Sequence, residues 1–155
     1  MFTQTTEYAL RAMAALALFP GTLVATSSVA ERTKVPSNYL AKVLQQLAAA
    51  GLIEGRRGVG GGYKLARPAT DINMLEIIRA VGRLQRITTC PLGLSNHGPN
   101  LCPLHRRMDD AANMLIERFS GVSLSDLISD AGSINRPLCD EQTAASLTVK
   151  GASLH

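Results

Sequence analysis

No apolar run in this chain of 155 residues reaches the ~18 residues that a membrane-spanning helix needs. Ala9 to Phe19 is apolar but short, and Arg11 interrupts it. The charged start and cleavage site of a secretory signal are missing too, so a cytoplasmic protein without a membrane partner is expected. Cysteine is scarce. Three residues, an odd number, do not suggest a disulfide framework, and they turn the question to metal or redox chemistry. No internal repeat is visible. No general base stands beside a nucleophile in a recognisable arrangement, so an enzyme is not expected.

Charge of one sign is unevenly spread. Residues 1–70 hold eight Lys/Arg against three acids, a balance of +5, whereas residues 71–155 carry −1 of the total +4. A positive field confined to the first half is where a polyanion would dock. That half contains the most informative stretch, Gly51 to Pro68. Arg56 and Arg57 lead into Gly58-Val59-Gly60-Gly61-Gly62, and Tyr63-Lys64-Leu65 resumes an extended pattern. A glycine cluster between two short apolar runs predicts a hairpin with basic arms, its strands near Leu52-Ile53-Glu54 and Tyr63-Lys64-Leu65. A phosphate-cradling loop would need Gly-Lys-Ser/Thr and a following helix, and neither is present.

Helical signals surround the hairpin. Thr5 to Phe19 predicts a first helix, with Thr5 or Thr6 as its cap and Pro20-Gly21 as its stop. Thr26 or Ser27 can cap a short second helix, Ser28 to Thr33. After the connector Val35-Pro36-Ser37, a third helix runs from Ser37 to Ala50. Its apolar positions Leu40, Val43, Leu44 and Leu47 make one buried face. Ser37, Asn38, Ala41, Lys42, Gln45 and Gln46 fall largely on the other side. Polar groups there can meet bases and phosphates, or they form an ordinary solvated face. Gly51 suits the C-terminal cap. Two short helices followed by a basic glycine hairpin are the layout of a winged helix, which makes nucleic acid the first partner to consider.

A fourth helix is expected over about Asn73 to Val81, and a long one over Pro103 to Ser120. The long helix carries Leu104, Met108, Ala111, Ala112, Leu115, Ile116 and Phe119 as an apolar stripe. A small wing domain cannot cover it, so pairing with a second copy is the economical answer. One more short helix is expected at Ser123 to Leu127. From Gly132 the periodicity fades into a Gly/Ser/Thr/Ala-rich tail, in which Cys139 has no evident role.

Between the fourth and the long helix lies a Gly/Pro/Asn/Ser-rich loop holding Cys90, His97, Cys102 and, one helical turn later, His105. Thiolate with imidazole suits zinc or an iron–sulfur cluster. Both usually take four protein ligands. Cys90, Cys102 and His105 supply three, and His97 or a carboxylate could be the fourth. The tight Cys pairs of structural zinc sites are absent. A thiol switch between Cys90 and Cys102, or two plain reduced cysteines, is equally compatible with the spacing.

Tyr8-Ala9-Leu10-Arg11-Ala12, Asn38-Tyr39-Leu40, Arg56-Arg57-Gly58-Val59-Gly60-Gly61-Gly62-Tyr63 and the cysteine loop ahead of a long helix together resemble the Rrf2 family of bacterial transcriptional regulators, over Met1 to about Ile128. That family includes iron–sulfur sensors of cluster assembly and of nitric oxide. The resemblance implies a mainly α fold with a small β-wing, a winged helix-turn-helix plus a long dimerisation helix. Residues 1–82 would form the DNA-binding domain, 83–102 the sensor loop, 103–131 the dimerisation helix with a short C-terminal helix, and 132–155 a disordered tail. It further implies a homodimer, a repressor, on a palindromic double-stranded DNA operator. The expected DNA contacts are Thr26, Ser28, Ser37, Asn38, Tyr39, Lys42, Gln45, Arg56, Arg57, Gly58, Gly60 and Gly61, with Arg57 in the minor groove. Cys90 and Cys102 match the first and third cysteines of cluster-bearing relatives, and His105 matches a histidine ligand of one branch. The middle position is Asn96, a departure that favours a mixed-ligand [2Fe–2S] site over a three-cysteine [4Fe–4S] one. Glu7 matches the place from which nitric oxide sensors draw a carboxylate of the partner subunit. A regulator of the same type without a cluster, using a Cys90/Cys102 thiol switch, is the alternative, ahead of a zinc-binding protein or a redox carrier.

Overall fold

The computed structural model describes residues 3–93, 100–133 and 138–139, with the backbone alone for 131–133. Helix α1 spans Gln4–Ala17. Its cap is Thr3 rather than the expected Thr5 or Thr6: the Thr6 amide donates to Thr3 Oγ1 at 3.3 Å. Ala9, Ala12, Met13, Ala15 and Leu16 are fully buried, and the small side chains let neighbouring helices approach closely. Helix α2, Thr26–Thr33, follows. Ala25 holds its cap position without a side-chain bond, so neither Thr26 nor Ser27 caps it. Helix α3 is Ser37–Ala49. Leu40, Val43, Leu44 and Leu47 are buried as the spacing predicts, and they join α1 and α2 around one core.

Gly51 ends α3 in the left-handed conformation, φ +71°. Its amide donates to the Ala48 carbonyl at 3.0 Å and the Leu52 amide to the Leu47 carbonyl at 3.1 Å. These two bonds satisfy the last helical carbonyls, and the buried Leu47 and Leu52 supply the apolar contact that accompanies such a stop. The wing begins at once. Strand β1, Ile53–Arg56, pairs antiparallel with β2, Gly62–Leu65, in the register Ile53↔Leu65 to Arg56↔Gly62. β1 therefore starts one residue and ends two residues later than expected, while β2 starts one residue early and ends at Leu65 as expected. Val24 adds a one-residue third strand, exchanging two backbone bonds with Tyr63 at 2.8 and 2.9 Å. A side chain at Gly62 would fall 2.2 Å from the Val24 carbonyl, so glycine is what admits this approach.

Helix α4, Met74–Val81, opens with a reciprocal cap: the Glu76 amide donates to Asn73 Oδ1 and the Asn73 amide to Glu76 Oε2, both at 3.0 Å. Helix α5, Pro103–Ser120, matches its predicted span. Helix α6, Leu124–Ser133, returns to the first half: the Leu124 amide donates to the Ile72 carbonyl at 2.7 Å and the Met74 amide to the Val122 carbonyl at 2.9 Å. Cys139, in the expected tail, lies in the core. It is only 5% exposed and belongs to the main core, and the adjacent Leu138 carbonyl accepts from Arg11 at 3.1 Å. Cys139 is thus a packed side chain. Among the described residues no helix is long and apolar enough to cross a membrane.

Candidate nucleic-acid interface and sensor loop

The polar face of α3 is open. Ser37, Asn38, Tyr39, Lys42 and Gln45 are all exposed, and Leu40 and Leu44 fix the helix from behind. Tyr39 lies at one flank, 56% exposed, with its ring 6.4 Å from that of Tyr8. Both rings line a groove of about 650 Å³ between α1, α3 and the end of α4, shared with Lys42, Gln45 and Gln46. Thr26 and Ser28 on α2 are half-buried. Ser28 Oγ accepts from Arg32 Nε at 3.2 Å, so that hydroxyl is partly committed inside the chain.

On the wing, the two arginines differ. Arg56 folds back, donating from Nη2 to the Gly60 carbonyl at 3.2 Å, and so stiffens the tip. Arg57 is exposed with no polar partner among the described residues. Gly58 and Gly60 are exposed and Gly61 half-buried. The hairpin itself demands glycine at Gly61, where a Cβ would lie 2.2 Å from the Arg56 carbonyl. Between Gly58 and Gly60, Val59 projects fully exposed.

The sensor loop is brought together in part. Cys102 sits at the N-cap of α5, with Pro103 at the first helical position. One turn on, His105 Nδ1 lies 3.3 Å from Cys102 Sγ. Two tetrahedral ligands of one metal, sulfur at ~2.3 Å and nitrogen at ~2.0 Å, span about 3.5 Å, so this pair fits one metal ion. Cys90 is a half-buried free thiol. Among the described residues no group of three metal-ligating side chains converges, and His97 and Asn96 lie outside those residues. Glu7, the candidate carboxylate, is engaged within the chain by Arg11 at 3.0 Å.

Sequence reasoning missed the most elaborate polar cluster. Asp109, on α5, is only 7% exposed. Arg86 grips both its oxygens, Nε to Oδ1 at 2.7 Å and Nη2 to Oδ2 at 2.6 Å, and the Ile87 amide adds a third bond to Oδ1 at 2.9 Å. Arg86 Nη1 also donates to Asn113 Oδ1 at 2.7 Å. The Arg86 guanidinium outweighs the burial that opposes it, and the Ile87 amide adds to the effect, so the Asp109 carboxyl is pulled down to about 2. The signal was available: an acid at 109 on the line 105–109–112–116, otherwise at the edge of an apolar stripe, needs a cation.

The family model Rrf2, described as an iron-dependent transcriptional regulator, matches residues 2–130. The chain belongs to the Rrf2 family. An HTH-type transcriptional regulator of Aquifex aeolicus (strain VF5) is 31% identical over 132 residues, 83% of this chain and 92% of that protein. The solved structure of T. potens IscR is 26% identical, with a TM-score of 0.70, over 86% of this chain and 90% of that one. Staphylococcus aureus CymR in its oxidised form is 29% identical, with a TM-score of 0.59, over 82% and 94%. The Rrf2 fold of a mainly helical chain with a two-stranded wing is therefore the fold of this protein, and the family's business is transcriptional regulation.

Proposed function

We propose that this Rrf2-family regulator is a homodimeric repressor that grips a palindromic DNA operator with α3 and the wing, under the control of the Cys90–Cys102–His105 loop. The observation that carries the DNA reading is the open polar face of α3 beside the unpartnered Arg57, within the positively charged half of the chain. Asn38, Lys42 and Gln45 would enter the major groove, where Gln suits adenine edges and Lys suits phosphate or guanine. Ser37, Tyr39, Thr26 and Ser28 would position the helix on the backbone. Arg57 would reach the minor groove, and Gly58, Gly60 and Gly61 would leave the wing thin enough to lie in it. The homodimer is supported by Leu104, Met108 and Met114, which stand 65%, 50% and 66% exposed along α5.

The 3.3 Å contact of Cys102 with His105 supports a mixed sulfur–nitrogen site. In this reading Cys90, Cys102 and His105 hold an iron–sulfur cluster of the [2Fe–2S] type, with His97 or Glu7 of the partner subunit as fourth ligand. Such a cluster, when bound, supplies a one-electron and ligand-sensitive centre. The protein's own part is to make the shape of the loop depend on what Cys90 and Cys102 hold. The loop leads from α4, part of the DNA-binding half, to α5, so its shape governs how two wings are spaced against half-sites one helical turn apart. A thiol switch between Cys90 and Cys102 is the second reading. It is favoured by the lack of a third converging ligand among the described residues and by a relative solved in an oxidised form. Anaerobic purification separates the two. Visible absorption with matching iron and sulfide content is expected for the cluster, and a colourless protein would leave the thiol switch. Operator binding measured in reduced, cluster-free and oxidised states must differ, and equal affinities would overturn sensing by this loop.

A further inference from the structure

The linker between α4 and Cys90 is laid along α5 in the opposite direction. Leu84 and Leu115 line one small cavity. Arg86 reaches Asn113 and Asp109, and the Ile87 amide reaches Asp109. As the linker climbs from 84 to 87, the helix number falls from 115 to 109. An extended chain advances ~3.3 Å per residue and a helix ~1.5 Å. About three more residues carry the linker roughly 10 Å onward, or about seven helical residues. Counted back from Asp109, that distance leads toward Cys102, and the linker residue three beyond Ile87 is Cys90, although the Cys90, Cys102 and His105 side chains do not converge in this structure. The chain then turns, the Gly93 amide donating to the Cys90 carbonyl at 3.1 Å.

We propose that Asp109 and Arg86 form a positioning clamp that shortens the free tether of Cys90 and so holds it within reach of the Cys102–His105 pair. The proposal rests on the sensor reading above and adds a tie that limits how far Cys90 can stray from α5. The clamp is the last tie between linker and α5 before Cys90 among the described residues. Its carboxylate is fully employed, two oxygens receiving three donors, so the tract has one preferred register on the helix. Without the clamp, the nearest anchor retreats to Leu84, whose carbonyl Arg79 holds at 3.2 Å. The tether to Cys90 then doubles from about three to about six residues, and a −3/2 power dependence of effective concentration on length makes that about a threefold loss.

The test is the rate at which Cys90 and Cys102 join when full-length, reduced, metal-free protein meets diamide. Two thiols lose two electrons and two protons, the azo bond of diamide takes them up as the hydrazine, and one S–S bond forms. Non-reducing peptide mapping assigns the bond, so Cys139 stays in place. The wild type should form the Cys90–Cys102 bridge. Asp109→Asn and Arg86→Gln should each slow it about threefold or more, with iodoacetamide alkylation of Cys102 changed less than about 1.5-fold. If Asp109→Asn does not fold, Arg86→Gln, altering a side chain 48% exposed, carries the test. Bridge formation at the wild-type rate in the folded variants would overturn the clamp. So would an equal slowing of bridge formation and alkylation, which would mean general loosening. Absence of the bridge in the wild type would overturn the Cys90–Cys102 pairing itself, a distinguishable failure.

Discussion

Helices α3 and α5 both carry an apolar stripe, but the stripes meet different surroundings. On α3, Leu40, Val43, Leu44 and Leu47 are buried against α1, α2 and the wing base. On α5, which is longer, Asp109 is the only buried residue, and Leu104, Met108 and Met114 stand largely in solvent. A stripe satisfied within the chain specifies the fold. A stripe left open on a helix has area to give to a second copy. The first half is packed within the single chain, while the second leaves exposed the apolar area on which the proposed dimer rests.

The sharpest way to break that contrast is to cut into both stripes. Leu44→Ala should cost about 2–5 kcal/mol in denaturant unfolding, and a cost below about 1 kcal/mol would show that the α3 stripe is not core. Leu104→Glu with Met108→Glu should leave the fold intact by circular dichroism while weakening the proposed dimer by about 2 kcal/mol, roughly 30-fold, in sedimentation equilibrium. A dimer unmoved by that pair would place the interface elsewhere.

A smaller effect probes the basic half. Arg57→Ala should weaken operator binding and lower the slope of log affinity against log salt by about one unit, whereas an unchanged titration would exclude the wing from the complex. Smallest is the acid response of the second half. The Asp109 carboxyl sits at about 2 in the folded chain, below the ~3.9 of an unfolded aspartate. Its contribution is present above about pH 4 and is lost as pH falls through about 2. Asp109→Asn should therefore unfold with a shallower pH dependence in urea between those values. Parallel curves for variant and wild type would mean that Arg86 does not hold this carboxylate in solution.

What could be read in the sequence was whatever repeats at helical spacing or is marked by glycine. The α3 face, the full span of α5, the Gly51 stop and the wing are of that kind. The helix starts were less legible: Thr3, Thr5 and Thr6 are equally able to cap, and the choice depends on where α1 begins to pack. The burial of Cys139 was not legible because it depends on a core assembled from distant parts of the chain, on which local composition is silent. The pairing of Arg86 with Asp109 crosses 23 residues and has no local periodicity, although an acid at the edge of an apolar stripe hinted that a cation must arrive. Of the sensor loop, the Cys102–His105 contact follows from helical spacing, since residues three apart share a face.

The two backbone bonds between Val24 and Tyr63 have one more consequence. They fasten the wing to the segment that opens α2, while Gly51 locks its other end to α3. In the proposed dimer, helix-turn-helix and wing would therefore move as one jaw of a caliper. Such a jaw would not change its own bite, so on the proposed function a signal would alter the grip on DNA by moving a pivot beyond α4.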